Sequence, residues 1–150
     1  VNVSRDTITD ALQKLVFAVA DFKTTGERVS HWDQVANQPA AFVRWLGDAY
    51  GGADLIMVPV TLHFEIWFYV KAPSPTSSAA EPLRELVDDL EAAMAPDDPR
   101  TNRLTLGGLV QDCRLEGESL IDQGDVGGQG KAVIPVRIDV PWVRMWSPSA

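Results

Sequence analysis

The most regular stretch of the chain runs from Val58 to Lys71. Its even positions, Val60, Leu62, Phe64, Ile66, Phe68 and Val70, are all apolar. Its odd positions are Thr61, His63, Glu65, Trp67, Tyr69 and Lys71. Successive side chains of a strand point to opposite faces, so this alternation predicts a long strand with one face in a core. At about 3.3 Å per residue it reaches roughly 40 Å, which suits a central strand or a projecting arm. A second alternation covers Lys131 to Val140. Ala132, Ile134, Val136, Ile138 and Val140 share one side, and Lys131, Arg137 and Asp139 share the other. Pro135 interrupts its supply of N–H donors, which predicts an edge strand or a bulge.

Two other segments follow a helical period. Ile8, Leu12, Leu15, Val16 and Val19 fall on one face of a helix that should fade near Asp21. Thr7 and Asp10 have the spacing of a capping pair. Leu83, Leu86, Val87, Leu90 and Met94 form the stripe of a second helix, with Ser78 and Glu81 as its expected capping box and Pro96 as its stop. Shorter strands are predicted over 24–31, Ala41–Leu46 and 109–121, the last with a bulge at Gly117. KAPSPTSS at 71–78 and the acidic, glycine-rich DQGDVGGQG at 122–130 read as loops. The order is α-β-β-β-α-β-β. Two amphipathic helices need apolar surface to cover, and two long strands offer it. The expected fold is therefore α+β, a mostly antiparallel sheet with both helices packed on one face, in one domain over 1–150 with a tail from about 141. The other face of that sheet would carry Trp67, Tyr69, Val133 and Pro135, an amphipathic surface that something should cover.

Charge narrows the partners. Thirteen Lys and Arg stand against 21 Asp and Glu, giving a formal charge of −8. Gripping nucleic acid takes a stripe of basic residues to displace counterions, and docking on an anionic membrane takes the same. Here the basic residues are scattered, so neither a specific nucleic-acid contact nor a membrane contact is expected. The longest uncharged apolar run, between Asp54 and Glu65, is too short to span a bilayer. Asp6 and Asp10 interrupt the start, so no leader peptide is expected.

Candidate chemistry is sparse. Cys113 is the single cysteine and reads as buried and structural, since Arg114 beside it on a strand points to the opposite face. His31 and His63 lack the spacing of a helical zinc pair. His63 with Glu65 has the make-up of a metal or acid–base pair, against the plainer reading of a surface or interface histidine. The run from Gly124 to Lys131, GDVGGQGK, lacks the gap of a phosphate loop and precedes a strand, so it reads as a hairpin connection. Glu116 and Glu118 share a strand face, while Asp88, Asp89 and Glu91 belong to a solvated helix face. No catalytic residue, metal or cofactor is assigned, and an enzyme is not expected. The aromatic residues Trp45, Trp67, Tyr69, Trp142 and Trp146 point to protein–protein contact, with Trp45 equally suited to a core.

Seven segments in order carry a resemblance: TITDALQKLV at 7–16, RVSHW at 28–32, QPAAFV at 38–43, VTLHFEIWFYVKAP at 60–73, EPLRELVDDLEAAMAP at 81–96, TLGGLVQDCRLEG at 105–117 and AVIPVRIDV at 132–140. Together the chain resembles the tail terminator proteins of long-tailed bacteriophages and prophages, also called minor tail or tail completion proteins. The resemblance implies a non-enzymatic virion protein with a mixed α/β sandwich fold. Such a protein forms a ring, typically a hexamer, at the head-proximal end of the tail tube. It would be assembled in the host bacterial cytoplasm, stop tube polymerisation and present the head-joining surface. The implied partners are copies of itself, the tail tube protein and a head-completion or neck protein, with DNA passing through the ring. The residues expected at subunit or tube contacts are His63, Glu65, Trp67 and Tyr69 on the long strand, Asp125, Val126 and Gln129 at the glycine-rich loop, and Trp142. Two alternatives remain open: another neck or head-completion ring protein, and a small acidic inhibitory protein of the immunity type.

Overall fold

The computed structural model describes residues 3–31, 34–35, 37–51, 59–74, 77–124 and 129–141. The elements are α1 (Arg5–Phe17), β1 (Thr24–Gly26), β2 (Ala40–Tyr50), β3 (Pro59–Lys71), α2 (Ala80–Ala93), β4 (Asp112–Leu115), β5 (Leu120–Asp122) and β6 (Gln129–Pro141). One sheet holds all the strands in the order β1-β2-β3-β6-β4, with β5 also paired to β6. Every pairing is antiparallel except the short parallel contact of β1 with β2. The architecture is α+β as the pattern predicts, with one strand more than expected.

The long alternation sets the core. Val60, Leu62, Phe64, Ile66, Phe68 and Val70 are all buried on one face of β3, beside Ala132, Ile134, Val136, Ile138 and Val140 of β6. Ile8, Leu12 and Val16 of α1 and Leu83, Leu86 and Leu90 of α2 close over the same face. Burying one such side chain contributes about 1.5–3 kcal/mol. Both helices therefore lie on one side of the sheet.

Local details depart from expectation for reasons visible in the packing. Ser4, not Thr7, caps α1: its Oγ accepts the Thr7 N–H at 3.1 Å. The helix ends at Phe17 because the chain turns to stack Phe22 on Phe68, ring centroids 5.5 Å apart. No capping box forms at α2. The Ala79 N–H donates instead to the Gln123 carbonyl at 2.9 Å, which ties the helix start to the segment after β5. The first predicted short strand keeps only Thr24–Gly26. The second extends to Tyr50, because a bulge between Trp45 and Gly47, with Gly47 at φ +136°, lets pairing continue past the glycine.

Pro135 has a different setting from the one predicted. β6 is an interior strand, paired to β3 over its whole length. On its other side β4 pairs with residues 136–139 and β5 with 131–133, leaving a break between them. The Glu116 N–H donates to the Pro135 carbonyl at 3.3 Å, so the edge of residue 135 that lacks a donor faces that break. Gly117, at φ +117°, turns the chain there, and a Cβ on it would press within 3.0 Å of Pro135 Cγ. The predicted strand over 109–121 is thus two strands. β4 is held from outside by the Cys113 N–H, which donates to the Leu104 carbonyl at 2.9 Å.

Gly130 marks where β6 passes under the start of α2. A Cβ there would overlap Ala79 Cβ and lie 3.0 Å from both Leu83 Cδ1 and Val70 Cγ2. Overpacking of this kind costs about 1–3 kcal/mol. We expect Gly130→Ala to lower the thermal midpoint by several degrees, roughly 2–4 °C per kcal/mol at this chain length. An unchanged or raised midpoint would show that α2 is free to move off the strand.

Candidate interaction surface

The face of the sheet away from the helices is built from the odd residues of β3 and their cross-strand neighbours. Thr61, His63, Glu65, Trp67 and Tyr69 stand opposite Asp139, Arg137, Pro135, Val133 and Lys131 of β6. On the β2 side, Glu65, Trp67 and Tyr69 stand opposite Arg44, Phe42 and Ala40. This face divides into two halves.

The chain covers the first half itself. Val35, Ala40, Phe42 and Tyr69 form a second buried cluster, with Val29 and Trp67 packed against it. Tyr69 is only 3% exposed, and its hydroxyl donates to the Ser30 carbonyl at 2.8 Å. Burial raises the phenol's pKa above its ordinary value. Tyr69, expected on an open contact face, is a packing residue beside Val29, Ser30 and Val35. Trp67 is the boundary. Its Nε1–H donates to Glu65 Oε1 at 3.2 Å, and the Lys131 ammonium lies 5.5 Å from its ring centroid.

The second half carries charges locked to one another. Arg114 pairs with Asp112, Asp139 and Glu116, and Arg137 pairs with Asp139 and Glu116. Thr61 adds a hydroxyl bond to Asp139 at 3.0 Å. Burial alone would raise the Asp139 carboxyl. The bonds from Arg137, Arg114 and Thr61 outweigh it and hold the group below the usual carboxylate range. The same bonds to Asp112 and Asp139 raise Arg114. A depression of about 470 Å³ opens beside this cluster, lined in part by Arg103, Arg114, Arg137 and Asp139. Sequence reading placed Arg137, Asp139 and Glu116 on outward faces. It missed the network, because β4 and β6 are far apart in the chain. The charged residues alternating at 112, 114 and 116 are the signal that points to it.

The other predicted contact residues are dispersed. His63 is exposed, opposite Arg137 and Gly47. Gln129 opens β6 opposite Lys71, and its Oε1 is buried without a hydrogen-bond partner. Asp125, Val126 and Trp142 lie outside the described residues, as do Trp146 and the predicted tail beyond Pro141. Trp45 is not a core residue: it is 51% exposed at the edge of the sheet. Cys113 is buried, and desolvation first, then Asp112 and Asp97, push its thiol up to about 12, so the reactive thiolate is not populated. No group of three His, Cys, Asp or Glu among the described residues is placed to hold a metal ion. No helix among them is long and apolar enough to cross a membrane.

No family model matches the chain, and the search of curated proteins returns no match. Among solved structures, a chain of "Virion of native gene transfer agent (GTA) particle" aligns with a TM-score of 0.45 at 11% identity, covering 84% of each chain.

The network gives a pH signature. A depressed carboxyl contributes stability above its unfolded pKa, about 3.9, and loses it as pH falls through the lower folded value. Asp139→Asn should therefore cost about 1 kcal/mol at pH 7, a modest figure because the arginines are partly exposed. The gap seen at pH 7 should narrow at an acid pH, as the carboxyl is protonated through its lowered folded value. An equal gap at both pH values in denaturant melts rules out the charge of Asp139 as its source.

Proposed function

We propose that this chain is a non-enzymatic structural protein of a phage-like virion. It forms a ring at the head-proximal end of the tail tube, ends tube polymerisation and presents the surface to which the head is joined. The observation that carries this reading is the half of the sheet face that none of the described residues covers. There a half-buried tryptophan and an exposed histidine on β3 stand in register with Arg137 and Asp139 of β6, which pair with Asp112 and Arg114 of β4 and with Glu116 just after it. Such a face is rigid before contact, so little ordering entropy is lost when a neighbouring protein covers it. Aromatic and arginine side chains with a polar rim suit a protein partner. The order of the seven sequence segments supports the same assignment, and the α+β architecture agrees with what that resemblance implies.

The acidic balance fits a ring around a passing nucleic acid. A net charge of −8 disfavours adhesion of phosphates to the wall. In this reading His63, Glu65, Trp67 and Gln129 contribute to contacts with neighbouring subunits or the tube. Tyr69 acts indirectly, by fixing the segment that bounds the face.

Tail tubes from the same source, incubated with the purified protein and imaged in negative stain, test the reading. We expect density at one end only and arrested tube growth. Trp67→Ala, assayed well below its own melting midpoint, should weaken capping by about tenfold or more, the usual effect of removing a tryptophan anchor. Tubes that keep growing with bare ends reject the terminator role. A monomer that ignores tubes and binds a basic protein points to the acidic inhibitory class instead.

A further inference from the structure

The sheet has two free edges, and they differ in kind. On one side, β1 covers only Ala40–Phe42 of β2, while β3 takes the other side of that strand. From Val43 to Tyr50 the outer backbone edge of β2 has no strand partner among the described residues. A long open edge is a template for another strand, and monomers blunt such edges with short strands, lysine or proline. This one carries Trp45, Leu46 and Tyr50, all exposed. Trp45 is also held in place. Its Nε1–H donates to Asp48 Oδ1 at 2.9 Å, and Asp48 Oδ2 accepts from Arg5 Nε at 2.8 Å. The Asp48 side chain is only 5% exposed. The indole is thus aimed by a buried carboxylate, while half of its surface stays in solvent.

On the opposite side, β5 exposes Leu120, at 65%, and Ile121. Between β5 and α2 lies a groove of about 310 Å³ whose apolar lining is Ala80, Leu83, Val87 and Ile121. Charge also differs between the edges. Arg44 is exposed on the face of β2 opposite to Trp45, across from Glu65, whereas Glu118 and Asp122 flank the exposed pair on β5. One edge offers a fixed aromatic knob. The other offers an apolar groove with negative neighbours.

We propose that these edges are the two halves of one contact: copies of this chain join head to tail, the β2 edge of one beside the β5 edge of the next, with Trp45 seated in the neighbour's α2–β5 groove. The ring of the preceding section gives this contact its biological place, and to that extent the inference rests on that reading. A second copy is the occupant because each half supplies what the other lacks. A symmetric β5–β5 contact would set Glu118 and Asp122 against their own copies, and a β2–β2 contact would leave the groove empty. Unlike patches on opposite sides of one sheet make a heterologous contact, which closes into a ring when the rotation per subunit allows.

Sedimentation over a concentration series up to about 1 mM tests this, a range that reaches even weak association. The natural chain should form species larger than a dimer. Trp45→Gln, which keeps an N–H donor for Asp48, and Ile121→Arg should each weaken association by at least about tenfold, as expected for a lost central anchor. Their melting profiles should stay near the natural one, since both side chains are exposed. An equimolar mixture of the two should form a one-to-one dimer and nothing larger, because one variant keeps the groove and the other keeps the tryptophan. A natural chain that stays monomeric, oligomers indifferent to both substitutions, or a mixture that stays monomeric would each overturn the contact. Should either variant fail to fold, a chain carrying both Leu46→Cys and Leu120→Cys should give a ladder of linked copies under mild oxidation, with buried Cys113 silent. Only dimers, or none, count against the proposal. Oligomers that cap tubes but ignore the substitutions overturn this contact and leave the ring reading. Edge-joined oligomers that ignore tubes do the reverse.

Discussion

Everything in this fold hangs on the antiparallel ladder between β3 and β6. It pairs the chain from Pro59 with Pro141 to Lys71 with Gln129 without a slip. A shift of one residue would turn Phe64, Ile66 and Phe68 outward and bring Glu65 and Trp67 beneath the helices. The apolar face fixes the register, and the register then fixes which charges meet on the far side. Arg137 stands beside Arg114, and Asp139 beside both Thr61 and Asp112, because the core permits no other alignment.

That coupling explains how much of the protein could be read from its sequence. The two alternating strands and the two helical stripes declared themselves because burial imposes a period of two or of about 3.6 on neighbouring residues. All six even positions of β3 are buried where the pattern put them. What escaped reading depends on contacts between segments distant in the chain. Ser78 looks like a cap, yet the Ala79 N–H finds the Gln123 carbonyl, forty-four residues away. Tyr69 looks like an outward residue because its strand position is odd. Only the fold shows that Val29, Ser30 and Val35 pack against it. Pro135 demanded a place without a donor, and its spacing alone could not tell a sheet edge from a gap in the neighbouring strand.

The same division runs through the interaction surface. Trp67, Glu65 and His63 were legible as an amphipathic row. The charge network beside them was not, because its members come from β3, β4, the residue after β4, and β6. Trp45 had equal claims to core and surface until the bulge at Gly47 placed it at an edge. Half of the open face is closed by the chain's own loop, so the uncovered part is smaller and more polar than the strand pattern alone suggested. A smaller, charged face favours specific partners over indiscriminate sticking, since each mismatched partner would leave buried charges unpaired.

The break at Pro135 has a mechanical consequence. The two short strands beside β6 are moored to different bodies: β4 to the 97–110 region through Leu104, and β5 to α2 through the bond between Ala79 and Gln123. Between them, at Gly117, no continuous ladder runs. The start of α2 is tied by a hydrogen bond to the residue after β5, while β4 is tied to its own loop and carries its charges with it. The flank is built as two panels, each with its own tie, on one shared frame, β6.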